Sequence, residues 1–183
     1  MLRQTVVGFM GCLVLAGPVL ADELPAGCDK FSWDLSKELS LFSAPAAASG
    51  TALSAATNAA RAPAVTVGKL YAVSLQDQAK VKFEHSPGKS RLPDGAHGGL
   101  LRVKVNTAGK YRVTIDKGSW VDVAADGALV NSNQFQGRTA CPVFHKSVEY
   151  TFPANKALLI QLSGETDTTV RLAVTPVPVT PAP

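Results

Sequence analysis

The chain has 183 residues, is 46 % hydrophobic and 17 % charged, and carries a formal net charge of +4. Beyond the N-terminal leader this leaves about 160 residues, enough for one domain with a sizeable core. Lysines and arginines are spread singly, without the interleaved aromatics of a nucleic-acid platform, so nucleic acid is excluded as the expected partner.

The first element is the run "MLRQTVVGFMGCLVLAGPVLADE". Arg3 precedes the apolar stretch from Val6 to Ala16, and Val19 and Ala21 offer small residues for a cleavage site. This predicts a signal peptide over residues 1–21 and an exported protein starting near Asp22. No second apolar run of spanning length follows, so no membrane span is expected after cleavage. A lipid-modified Cys28 is the weaker alternative, because Asp22 and Glu23 separate it from the apolar run.

Residues 29–42, "DKFSWDLSKELSLF", predict a short helix with Phe31, Leu35, Leu39 and Phe42 on one face and Ser32 or Asp34 at its start. Trp33 is expected to anchor it to a sheet. Residues 43–64 are rich in Ala, Ser and Thr and predict a surface loop. Together residues 22–64 form an N-terminal helix-and-loop region.

From Lys69 the period changes to two. The runs "KLYAVSL", "KVKFEH", "LLRVKVN", "KYRVTID", "SVEYTF", "ALLIQLS" and "TVRLAVT" alternate apolar and polar residues. Their inward sets are Tyr71, Val73 and Leu75; Val81, Phe83 and His85; Leu101, Val103 and Val105; Tyr111, Val113 and Ile115; Val148, Tyr150 and Phe152; Leu158, Ile160 and Leu162; and Val170, Leu172 and Val174. Turns are expected at Pro87-Gly88, Asp94-Gly95, Gly98-Gly99, Ala108-Gly109, Lys117-Gly118, Asp126-Gly127, Pro153-Ala154 and Ser163-Gly164. About eight or nine short strands at this spacing predict a mainly β protein. The expected fold is an antiparallel, jelly-roll-like β-sandwich over residues 65–175, with one short N-terminal helix and a Pro-rich tail over residues 176–183.

Candidate chemistry is sparse. In "SWVDVAA", Val121 and Val123 take the core face, which turns Trp120 and Asp122 outward. The opposite register would bury a carboxylate. An outward Trp beside a carboxylate suits contact with a sugar ring; a tryptophan packed into the core is the plainer alternative. Asn131, Asn133 and Gln134 in "LVNSNQFQGR" could add amide donors. "GAHGG" does not open a helix and is no phosphate cradle, and no Gly-x-Ser-x-Gly elbow exposes a serine.

The stretch "ACPVFHKSVE" sets Cys141 four residues from His145. Three chemistries fit: a thiolate nucleophile with its base, a metal site, or a disulfide. Cleavage of the leader removes Cys12, leaving Cys28 and Cys141 in an oxidising compartment. That favours a disulfide across a sequence separation of 113 residues. The metal alternative, copper or non-haem iron, would draw on His85, His97 and His145; both methionines, Met1 and Met10, lie in the leader and cannot be axial ligands.

The runs "NTAGKYRVTID", "SWVDVAADGALV" and "KSVEYTFPANKALLIQLSGETDTTVRLAVTP" resemble pre-peptidase C-terminal domains and carbohydrate-binding β-sandwiches over about 75 residues. Taken whole, with the opening "FSWDLSKELSLF", the chain also resembles a group of small exported bacterial proteins without established function, some of which carry the label homogentisate dioxygenase. The residues do not carry that activity. It needs a two-histidine, one-carboxylate iron site, and Glu84, His85, His97 and His145 are the only pool, with no His-x-His pair. The resemblance implies an exported, non-catalytic binding or accessory protein of the cell envelope. Its expected partner is a glycan or a protein, and no cofactor is called for.

Overall fold

The structure, a computed structural model, describes residues 24–43, 50–89 and 91–178. The expected leader over residues 1–21, part of the Ala-rich stretch and the end of the Pro-rich tail lie outside the described residues. No described helix is long and apolar enough to cross a membrane.

The described chain contains one α-helix, α1 (Ser36–Phe42), and twelve strands. These are β1 (Thr51–Ser54), β2 (Ala64–Val65), β3 (Leu70–Ser74), β4 (Gln76–Asp77), β5 (His97–Lys104), β6 (Gly109–Ile115), β7 (Trp120–Ala125), β8 (Ala128–Leu129), β9 (Ser132–Gly137), β10 (Lys146–Phe152), β11 (Ala157–Glu165) and β12 (Thr169–Pro176). One sheet runs β1-β3-β12-β6-β10-β9 and the other β2-β5-β11-β7-β8, with β4 also on β5. Within them, β3-β12-β6-β10 and β5-β11-β7-β8 are the two four-stranded halves of a jelly roll. Strand β9 is an addition beyond this set, at the edge of the first sheet.

The period-two pattern produces the core directly. Tyr71, Val73, Leu101, Val103, Val113, Ile115, Val121, Val123, Val148, Phe152, Leu158, Ile160, Leu162, Leu172 and Val174 meet between the sheets. Leu158, Ile160 and Leu162 are fully buried on β11, each contributing about 1.5–3 kcal/mol relative to exposure. Between β7 and β8, Asp126 and Gly127 both have positive φ, 51° and 75°, so two residues reverse the chain.

Five segments depart from the sequence expectation. The helix over residues 29–42 is shorter: a 3-10 turn covers Cys28–Lys30, Phe31 is extended, and α1 begins at Ser36. Asp34 sets that start, its Oδ1 accepting the Ser36 N–H at 3.0 Å. Leu35 and Phe42 are buried as expected. The Ala-rich loop supplies β1 and β2, both paired in parallel, so neither sheet is purely antiparallel. Its small residues let it cross the gap between the sheets: a Cβ on Gly99 would stand 2.4 Å from the Ala55 Cβ. Gly98 and Gly99 form no turn but lie inside β5, and Ser163-Gly164 lies inside β11 beside a bulge, with Gly164 at a positive φ of 71°.

The run "KVKFEH" is no strand. It crosses the outer face of the second sheet, where Val81 and Phe83 join a small cluster with Leu100 and Leu159. Buried Gln161 replaces the missing ladder. Its Oε1 accepts the N–H groups of Glu84 at 2.8 Å and His85 at 3.3 Å, and its Nε2 donates to the His85 carbonyl at 3.1 Å.

The N-terminal segment covers the outer face of the first sheet. Cys28 and Cys141 are joined in a disulfide, inside a second cluster with Leu35, Phe42, Leu70, Val143 and Phe144. Phe144 packs between Phe31 and Phe42, with ring centroids 5.0 and 5.7 Å away. Arg112, Glu38 and Glu149 lie buried beneath this segment. Arg112 donates to the Asp34 carbonyl at 2.6 Å and stacks over Trp33 at 4.7 Å.

Candidate functional site

On the side away from β1 and β2, the two sheets end unequally. Strand β8 covers only Ala124 and Ala125 of β7, so the first half of β7 is itself the edge of the second sheet. Strand β9 overhangs it from the first sheet. Between them lies a shallow cleft lined by Trp120, Val121, Ser132, Phe135, Lys146 and Val148. Its volume is about 70 Å³.

Each lining residue is placed by its strand. Val121 and Val123 point into the core, so Trp120 and Asp122 take the opposite face, as the alternation requires. Trp120 is 38 % exposed and wraps the sheet edge. Its Nε1 donates to Asp122 Oδ1 at 2.9 Å, while Asp122 Oδ2 accepts the Gly88 N–H at 3.1 Å. Gly88 lies against the indole: a Cβ there would approach Nε1, Cε2 and Cζ2 at 2.8 to 3.2 Å. Asp122 is thus an internal brace that orients Trp120, with both oxygens engaged, and not a group presented beside it.

Phe135 projects from β9 opposite Val148 and is 68 % exposed. Lys146 shares the inner row of β10 with Val148 and Tyr150. Its Nζ donates to the Ser119 carbonyl at 2.9 Å and lies 5.7 Å from the centre of the Trp120 ring. Burial lowers the Lys146 pKa, the charge of Lys89 lowers it further, and Glu165 opposes both. Glu165 is occupied by the Ser119 hydroxyl, which donates at 2.8 Å, and by the N–H groups of Thr166 and Asp167. Beneath the cleft, Tyr150 donates to the Val121 carbonyl at 2.9 Å, and burial raises its pKa.

The other sequence candidates lie elsewhere. Asn131 is exposed before β9. Asn133 turns away from the cleft, its Nδ2 donating to Thr151 Oγ1 at 3.1 Å and Glu149 Oε1 at 3.4 Å. His85, His97 and His145 are not brought together: among the described residues no three His, Cys, Asp or Glu side chains group as a ligand set. His85 crosses the second sheet, His97 begins β5 opposite Glu165, and His145 precedes β10. The disulfide removes Cys141 as a nucleophile or a metal ligand. Phe135 and Lys146 are the residues that sequence reading passed over. Their signals were a lone aromatic within "NSNQFQGR" and a lysine extending the inward row Val148, Tyr150, Phe152.

His145 carries a test of its own. Burial, then the charge of Lys146, holds its pKa below the ordinary histidine value, against a smaller effect of Glu165. The unfolded chain therefore binds more protons between the lowered value and about 6.5. Stability is lost as pH falls through that window. A series of urea midpoints from about pH 7 to 5 should show a shallower acid-side decline for His145→Gln than for wild type. Equal slopes would show that His145 does not contribute.

No family model matches the chain, nor does any curated protein.

Proposed function

We propose that this is a non-catalytic, exported binding protein that takes a partner polypeptide at the open edge of its sandwich. The observation that carries the reading is the supernumerary strand β9, which holds Phe135 68 % exposed over the cleft wall made by Trp120. An aromatic so exposed on an edge strand is a contact residue in search of cover.

A protein suits the cleft better than a glycan. Each oxygen of Asp122 is already engaged, by Trp120 and by Gly88, so part of its acceptor capacity is spent on bracing the indole. At about 70 Å³ the cleft is far below the ~300 Å³ where small-molecule sites begin, but suits a protruding side chain. Export rests on the leader and on the disulfide, which persists in oxidising compartments.

The test is a photo-crosslinking side chain at position 135 in the living producer cell, with position 155 as control. The expected result is a discrete protein adduct at 135 and none at 155, on a product whose N-terminus lies near Asp22. Absence of protein adducts, together with Trp120-dependent binding of a soluble envelope glycan, would overturn the reading.

A further inference from the structure

We infer that the partner contributes an extended, acidic strand that pairs with the free edge of β9 and sets a carboxylate against the Lys146 side of the cleft. This rests on the reading of the protein as a polypeptide-binding module and specifies the partner's chemistry.

The backbone phase of β9 is the first support. The Arg138 N–H donates to the His145 carbonyl at 2.8 Å, and β9 and β10 are antiparallel with Gly137 opposite Lys146. Bonded and non-bonded pairs alternate along such a ladder. Gln136 and Gln134 therefore bond toward β10, and Phe135 and Gly137 turn their main-chain groups to the outer edge. The Gly137 carbonyl is taken by Arg138 Nη1 at 2.7 Å. The Phe135 N–H and carbonyl and the Gly137 N–H remain, and among the described residues no strand pairs with them. An added strand would bond there, the mode by which extended peptides join sheet edges.

Side-chain alternation then fixes what the added strand must carry. A residue opposite Phe135 shares its face, so it falls against the aromatic mouth of the cleft. The residue two positions along lies over Gly137. Gly137 has no side chain to stand between that residue and Lys146, its partner on β10.

Charge supplies the second support. From Ala128 to Arg138 there is no acidic residue. Lys146 forms no ion pair among the described residues, and Lys89 adds positive charge nearby. Of the acidic groups nearby, Asp122 is held by Trp120 and Gly88 and Glu165 by Ser119 and its turn; both keep their charge, but neither forms an ion pair with Lys146 among the described residues. A carboxylate from a partner strand complements this surface, and a cationic strand is repelled.

The experiment uses the oxidised protein and nine-residue peptides of alternating Val and Thr that carry Glu, Gln or Lys at one inward position. Affinity is read by fluorescence polarisation, and amide exchange of Phe135 by NMR. The Glu peptide should bind about tenfold or more tighter than the Lys peptide and slow exchange at the Phe135 amide. Lys146→Glu should reverse the order. Gly137→Pro removes an edge N–H without touching the ladder to β10 and should weaken binding by about tenfold while the melting temperature holds. Equal affinities, an unprotected Phe135 amide, or β9-dependent self-association without peptide would each overturn the inference. If position 135 still crosslinks to a protein in cells, that failure leaves the polypeptide-binding reading standing; if it does not, and a soluble envelope glycan binds through Trp120, both fall.

Discussion

Replacing Cys28 and Cys141 together with alanine should lower stability by about 4–5 kcal/mol against the oxidised protein. The bond closes a sequence separation of 113 residues, so its loss releases much chain entropy in the unfolded state. The cysteines are 2 % and 6 % exposed, among Leu35, Phe42 and Phe144, so two small cavities add to the cost. Urea midpoints of the variant and of oxidised and reduced wild type are the measurement. Reduced wild type should lie near the variant. A loss below about 1 kcal/mol would show that the N-terminal segment is held without its covalent link. Unreduced protein purified from its producer cell should also weigh two hydrogens less than the reduced form.

Arg112→Met should cost roughly 3–5 kcal/mol, because it strands two buried carboxylates. Arg112 is 5 % exposed, and Glu38 and Glu149 are 2 % exposed each. The guanidinium lies 3.9 Å from both carboxylates and bonds the Asp34 carbonyl. Thr175 donates to Glu38, and Lys110 reaches Glu149 at 3.3 Å, so neither carboxylate is wholly abandoned. Adding Glu38→Leu and Glu149→Leu should restore most of the loss, since an apolar set no longer needs the cation. Equal instability of the single and triple variants would assign the cost to lost packing on Trp33 instead.

The main core was legible because its rule is local. Residues such as Leu158, Ile160 and Leu162 reveal their face by period alone, and the jelly-roll expectation followed from the spacing of such runs. Trp120 and Asp122 obeyed the same rule. What escaped depended on non-local partners. Arg112, Thr114 and Glu149 point away from the sandwich, as alternation says, yet are buried because the N-terminal segment lies over them. "KVKFEH" keeps a strand-like pattern because alternate residues face a sheet it crosses without pairing. Ala55 offers no bulk to announce a strap, and only the facing Gly99 explains its size. The cleft was half visible. Trp120 could be read from its own strand, while Phe135 and Lys146 gained meaning only when β9, β10 and β7 met at one edge.

Arg171 gives the molecule a further property, in how it opens. Its guanidinium bonds the Phe42 carbonyl at 2.8 Å, the Val143 carbonyl at 3.0 Å and Asp116 Oδ2 at 2.7 Å. One β12 side chain thus ties the end of α1 to the loop that carries Cys141. The same segment grips β9 from behind, through Ser32 on Gln136 and the Lys30 carbonyl on Arg138 Nε. Helix, loop and edge strand therefore share anchors and have few independent ways to fray. They form one cooperative unit of local unfolding. On the proposed reading, the edge strand would then be as rigid as the patch on the opposite face allows, and a partner would meet it already straightened, with little ordering entropy left to lose.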